Sequence, residues 1–149
     1  MKTYALMVFA FLCFMPSLMS AQDCRTLYSD GHSYYTKAYE NYKEGITLYN
    51  KTKKRVNGLA TKLAYGEDID DEVKAICNDF DKVLDYYNSA QYYLTEKAFP
   101  KLRSAKNTCS GSDRNIVQKL ITTCEALTDE IDERKSNIAA FKEMYGICE

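Results

Sequence analysis

Apolar residues recur at helical spacing through three long stretches of the chain. Tyr35, Tyr39, Tyr42, Ile46, Tyr49, Val56, Leu59 and Leu63 follow one another at steps of three, four or seven. Val73, Ile76, Phe80, Leu84, Tyr87 and Leu94 do the same, as do Val117, Leu120, Cys124, Leu127, Ile131, Ile138, Phe141 and Tyr145. That spacing gathers apolar side chains onto one stripe of an α-helix, the face that packs into a core. Past the first 21 residues the chain has one proline, Pro100, and few turn signals, which argues against a sandwich or barrel.

The polar gaps supply the punctuation. Gly66 ends the first helix, and Asp68 or Asp70 caps the second, with Asp71 and Glu72 favouring its positive N-terminus. Phe99 precedes Pro100 and is pushed away from helical geometry, which predicts a stop or kink there. Ser112 or Asp113 caps the third helix, and Gly146 ends it. Asp30-Gly31 is expected to set a short N-terminal piece apart from the first long helix. Each long helix, at about 30 residues, would extend ~45 Å, and short connections make neighbours antiparallel. The pattern therefore predicts an all-α fold: an elongated antiparallel bundle of three long helices plus short helical pieces. Its core is expected to hold Tyr39, Tyr42, Ile46, Phe80, Leu84, Leu120, Leu127, Ile131 and Phe141.

The first residues belong to a different pattern. Lys2, an apolar run from Tyr4 to Met15, Pro16 and the small pair Ser20-Ala21 have the three-part layout of a secretory signal peptide. The run is too short to span ~30 Å of hydrocarbon, so no membrane insertion is expected. Residues 1–21 read as signal peptide, residues 22–149 as one helical domain, and the product as secreted and extracellular.

Secretion changes the meaning of the cysteines. Cys24, Cys77, Cys109, Cys124 and Cys148 remain after cleavage, enough in an oxidising compartment for two disulfides and one thiol. An up-down-up path puts the start of the second helix beside the end of the third, so Cys77–Cys148 is the preferred bridge. Cys24–Cys109 would staple the opposite pole, with Cys109–Cys124 and Cys24–Cys124 as rivals. Cys124 has the helical phase of a buried thiol and is expected to stay unpaired. No CxxC pair is present, and no metal or other cofactor is expected.

Charge narrows the function classes. The formal net charge is −1, and removing residues 1–21 takes Lys2 but no acid, leaving −2. That balance excludes the basic field of a nucleic-acid binder. Ser33–Leu63 carries seven basic and two acidic residues, whereas Ala64–Phe99 carries three basic and nine acidic. Opposite bands on adjacent helices help to set their register. His32 is the sole histidine, and no nucleophile motif or phosphate loop accompanies it, so catalysis is not expected.

Recognition features remain. Asn50-Lys51-Thr52 is an N-glycosylation sequon. Lys51, Lys53, Lys54 and Arg55 form a basic run suited to an anionic polymer or an acidic protein patch, or else to compensation by the acidic second helix. Tyrosines come in the pairs Tyr34-Tyr35, Tyr86-Tyr87 and Tyr92-Tyr93. Neighbours on a helix are ~100° apart, so one member of a pair packs while the other reaches the surface. The expected function is binding of an extracellular protein through the first helix, with the basic run for steering and Tyr34 as an aromatic anchor. Carriage of a small hydrophobic ligand between the stripes is the alternative.

The signal peptide, Cys24 near the mature start, Cys148 at the end and tyrosine-rich helices between them resemble small secreted salivary proteins of blood-feeding flies, of the mosquito anophensin/albicin type. The resemblance lies in the architecture of the mature chain. It implies a non-enzymatic inhibitor or effector of host proteins such as complement or contact-activation proteins, and it carries no functional residue across. A secreted insect gut protein of the TsetseEP type has a similar architecture.

Overall fold

The computed structural model describes the backbone of residues 3–148 and the side chains of residues 21–148. Helix α1 spans Thr3–Ala64, α2 Asp70–Tyr92, α3 Phe99–Thr108 and α4 Gly111–Tyr145, and a π-helical segment, Tyr93–Ala98, joins α2 to α3. No strand occurs among the described residues. The expected cleavage point after Ala21 falls inside α1, and the side chains of residues 1–20 of the predicted signal peptide lie outside the described set.

Three rods result: α1, the composite rod from α2 through α3, and α4. Gly66 (φ 72°) closes α1 and Gly146 (φ 57°) closes α4 in left-handed geometry that a glycine adopts without strain. Behind Gly146, the Ile147 N–H donates to the Lys142 carbonyl at 3.1 Å. Asp68 accepts the Asp70 N–H at 3.0 Å where α2 begins. At the start of α4 it is Ser110, not Ser112 or Asp113, that holds the capping position, with no side-chain cap bond.

Two expected breaks are absent, and packing explains both. Helix α1 continues through Asp30-Gly31 because Gly31 lets Leu102 of α3 approach; a Cβ there would lie 2.6 Å from Leu102 Cγ. Asp30 in turn pairs with Lys101 at 3.3 Å. The composite rod continues through Phe99-Pro100, where Phe99 keeps helical angles (φ −56°, ψ −46°). Burial of Leu94, Ala98, Phe99 and Leu102 along one face favours continuity over the local preference of a residue before proline.

The core holds Tyr42, Phe80, Leu127, Ile131 and Phe141 as expected, with Ile76, Val83, Tyr87, Leu94, Leu102 and Ile138 fully or almost fully enclosed. Ile46, Leu84 and Leu120 are half-buried. Tyr39 is not a core residue: it is 43% exposed, its ring against Tyr35 and Tyr42 at 6.1 and 6.2 Å. Leu63 and Tyr145, the last members of their stripes, are also exposed.

Cys24 is bonded to Cys109 and Cys77 to Cys148, with Cα–Cα separations of 5.1 and 5.3 Å, and Cys124 is free and buried. These bridges tie the N-terminal part of α1 to the crossover and the end of α4 to α2. The charge bands also meet: Arg55 contacts Asp79 at 2.6 Å and Glu72 at 3.8 Å, and Lys62 pairs with Glu72. Between α1 and α4, the Tyr42 hydroxyl donates to Glu130 and accepts from Arg134 Nε at 2.9 Å.

Gly45 tests this packing. A Cβ there would lie 2.5 Å from Cε1 of Tyr87, whose ring is fully buried. Gly45→Ala is expected to destabilise the fold by about 1–3 kcal/mol through overpacking. Gly58, also within α1, has open space around it, so Gly58→Ala should stabilise by about 0.5–1 kcal/mol through helix propensity. Urea midpoints of the two variants should move in opposite directions.

Candidate functional site

Pro100 shapes the surface that α1 shares with the composite rod. A proline inside a helix offers no N–H and crowds the carbonyl four residues back. The chain meets this with one wide turn: the Phe99 N–H donates to the Leu94 carbonyl, five residues earlier. The extra residue of a π turn re-aims the side chains around it, and such turns are frequent at functional sites. Here the turn begins at the Tyr92-Tyr93 pair.

Tyr93 is half-buried and stacks on Tyr34 of α1, with centroids 6.5 Å apart and planes 18° from parallel. Tyr92 is exposed and meets Tyr93 edge-on at 5.7 Å. Lys37 lies 5.7 Å from the Tyr34 ring centre and 5.9 Å from that of Tyr93, while Lys97 lies 5.2 Å from the Tyr92 ring. The Tyr92 hydroxyl beside Lys97 holds that ammonium above its ordinary pKa. Tyr92 and Tyr93 also border an open groove of about 430 Å³ with Asp85, Asn88 and Ser89.

Three rings and two ammonium groups thus share one face, held by one another before any partner arrives. Aromatic faces offer contact area at low entropic cost, and the lysines add directional positive charge. The arrangement suits a protein segment carrying apolar and carboxylate side chains. Of the residues singled out from the sequence, Tyr34 and the Tyr92-Tyr93 pair lie on this face, Tyr34 alone having been given a binding role.

The basic run does not. Lys51 is about 25 Å from Tyr34 along α1 at 1.5 Å per residue, and the run's four side chains have separate environments. Arg55 is engaged by Asp79 and Glu72 of α2, and Lys53 lies 6.0 Å from the Phe141 ring centre of α4. Lys51, Lys53 and Lys54 are exposed, as is Asn50 just before them. Lys37, Tyr92, Tyr93 and Lys97 are the partners of Tyr34 that sequence reasoning left unassigned. The Tyr92-Tyr93 pair and the position of Lys37, three residues after Tyr34, were the available signal; Lys97 is five residues after Tyr92, a spacing that ordinary helical periodicity does not flag.

Cys124 is buried, and burial pushes its thiol pKa up to about 12, which keeps it protonated and unreactive. Among the described residues, no group of three or more His, Cys, Asp and Glu side chains could hold a metal. A cleft beside the Cys24–Cys109 bridge, lined by Arg25, Tyr28, Asp113, Ile116 and Val117, has a volume of about 150 Å³. That is room for a single ring and too little for a lipid chain or a drug-sized molecule. Among the described residues, no helix is long and apolar enough to cross a membrane. The chain has no match among protein-family models, curated proteins or solved structures.

Proposed function

We propose that this chain is a secreted, non-enzymatic binding protein that inhibits or modulates an extracellular protein through the Tyr34–Tyr92–Tyr93 face. The observation that carries this reading is the set of three mutually packed tyrosine rings with Lys37 and Lys97 above them, at a π-helical turn. Preorganised aromatic anchors lose little entropy on binding, and tyrosine is among the residues that dominate interface energetics. The partner segment is acidic and partly apolar, by complementarity to the face. Lys51 and Lys54 lie further from it than the ~8 Å Debye length at physiological salt, so they take no part in the contact.

Capture of plasma or other extracellular proteins on the purified mature chain tests the proposal. Complement and contact-activation proteins, which the resemblance implies, are the first candidates. Tyr34→Ala and Tyr92→Ala should each weaken binding to the captured target by roughly 10-fold or more. Lys97→Ala should slow association, increasingly so at low salt. Circular dichroism should stay unchanged, since Tyr92 is exposed. If target affinity is unaffected in the Tyr34→Ala/Tyr92→Ala double variant, this face is not the binding surface.

A further inference from the structure

The sequon Asn50-Lys51-Thr52 lies within α1, and the structure divides its two functional groups between opposite environments. Asn50 is exposed, whereas Thr52 is fully buried and its hydroxyl donates to the Leu48 carbonyl at 2.9 Å. Residues two apart on an α-helix point ~200° apart. The transferase that glycosylates asparagine must engage the amide of the first residue and the hydroxyl of the third together, and the folded helix cannot offer both. Lys51 and Lys54 follow Asn50, one and four residues on, and both are exposed.

We propose that Asn50 is glycosylated before α1 packs, and that the attached glycan then covers the outward cations Lys51 and Lys54. The donor is a lipid-pyrophosphate-linked oligosaccharide of the secretory pathway. Its anomeric carbon–oxygen bond to pyrophosphate breaks and a carbon–nitrogen bond to the Asn50 amide forms. The amide proton leaves to a base, and the lipid pyrophosphate is the leaving group. Folding then buries Thr52 and fixes the sugar over the basic band. The glycan leaves the other two basic side chains of the run where they are, Arg55 on Asp79 and Lys53 against Phe141. Tyr34 is about 24 Å from Asn50 along the helix, so the tyrosine face stays open. The masking is independent of which target that face takes.

Two measurements decide it. The full chain, expressed in a eukaryotic secretory host, should carry a glycan that peptide-N-glycosidase removes and that Asn50→Gln abolishes. Unglycosylated protein, offered to microsomes with the lipid-linked donor, should be modified when reduced and unfolded and should resist modification when folded. On a heparin column, the glycoform should elute at lower salt than Asn50→Gln protein. Adding Lys51→Ser and Lys54→Ser to Asn50→Gln should bring its elution down to that of the glycoform. An unglycosylated secreted chain, equal modification of folded and unfolded protein, or elution indifferent to the glycan would each overturn the proposal. Thr52→Ser keeps the hydroxyl and should keep the glycan, which separates loss of recognition from loss of fold.

Discussion

Ile131→Asp is expected to abolish the cooperative fold. Ile131 sits on α4 with no exposed surface, in the apolar cluster with Leu127, Tyr87 and Leu94. A carboxylate placed there would have to be protonated, paired or carried to water by opening the bundle. The penalty is about 4 kcal/mol or more, added to the lost burial of the isoleucine. A domain of this size has a total stability of about 5–15 kcal/mol, so the variant keeps little or none of it. Far-UV circular dichroism should show a broad, non-cooperative loss of helicity in place of a melting transition. Tyr39→Ser is the informative contrast, because the same stripe logic assigned Tyr39 to the core. Its ring is partly exposed, and what is lost is its stacking on Tyr35, a tilted contact with Tyr42 and the Lys43 ammonium over its face, about 1–2 kcal/mol in all. A cooperative melt of Ile131→Asp within a few degrees of wild type would mean that the α4 stripe faces elsewhere.

That contrast explains which parts of the fold could be read from sequence. Period and length identify a helix and its buried stripe, and they succeed for Phe80, Ile131 and Phe141. They do not fix the stripe's edges. On α1 the tyrosines that turn inward are seven apart, at Tyr28, Tyr35, Tyr42 and Tyr49, and Tyr39 falls beside that column. Breaks were misjudged where a local preference opposed a tertiary contact: Gly31 is small to admit Leu102, and Phe99 stays helical because its face is buried. The bridges were legible because antiparallel packing brings sequence positions to predictable poles. The candidate site was less so. Tyr34 could be marked as an anchor, but its stacking on Tyr93 depends on the phase of a second helix after a π turn. No periodic count on one helix contains that phase. The basic run was legible as a run, while the clamping of Arg55 by Asp79 and Glu72, with Lys51, Lys53 and Lys54 left exposed, is set by α2.

Alkaline pH should unfold this bundle, and irreversibly. Four acidic protons are held by the fold: burial raises the hydroxyl pKa of Tyr35 and Tyr87, pushes Tyr42 from 10.0 to about 12 with help from its bond to Glu130, and pushes the Cys124 thiol from 9.0 to about 12. Each raised pKa means that the folded state binds the proton more tightly than the unfolded chain. The stabilisation is complete below the unfolded values and is lost as pH rises through the folded ones, which for Tyr42 and Cys124 lie at about 12. Tyrosinate absorbance should therefore rise in two phases, exposed rings first and the buried ones in a cooperative step that coincides with loss of helicity. The same step releases Cys124, whose thiolate is then abundant and can attack the Cys24–Cys109 or Cys77–Cys148 bridge. After return to neutral pH, peptide mapping should find Cys124 in mixed pairings and helicity incompletely recovered. Cys124→Ala removes the attacking group: its alkaline transition should remain, since Tyr42, Tyr35 and Tyr87 still titrate, but the native bridges and helicity should return. If the wild-type tyrosines all ionise near pH 10 with helicity intact, the rings around Tyr42 are not enclosed as described. Full recovery of the wild type with native pairings would instead show that Cys124 stays shielded from both bridges even in the opened chain.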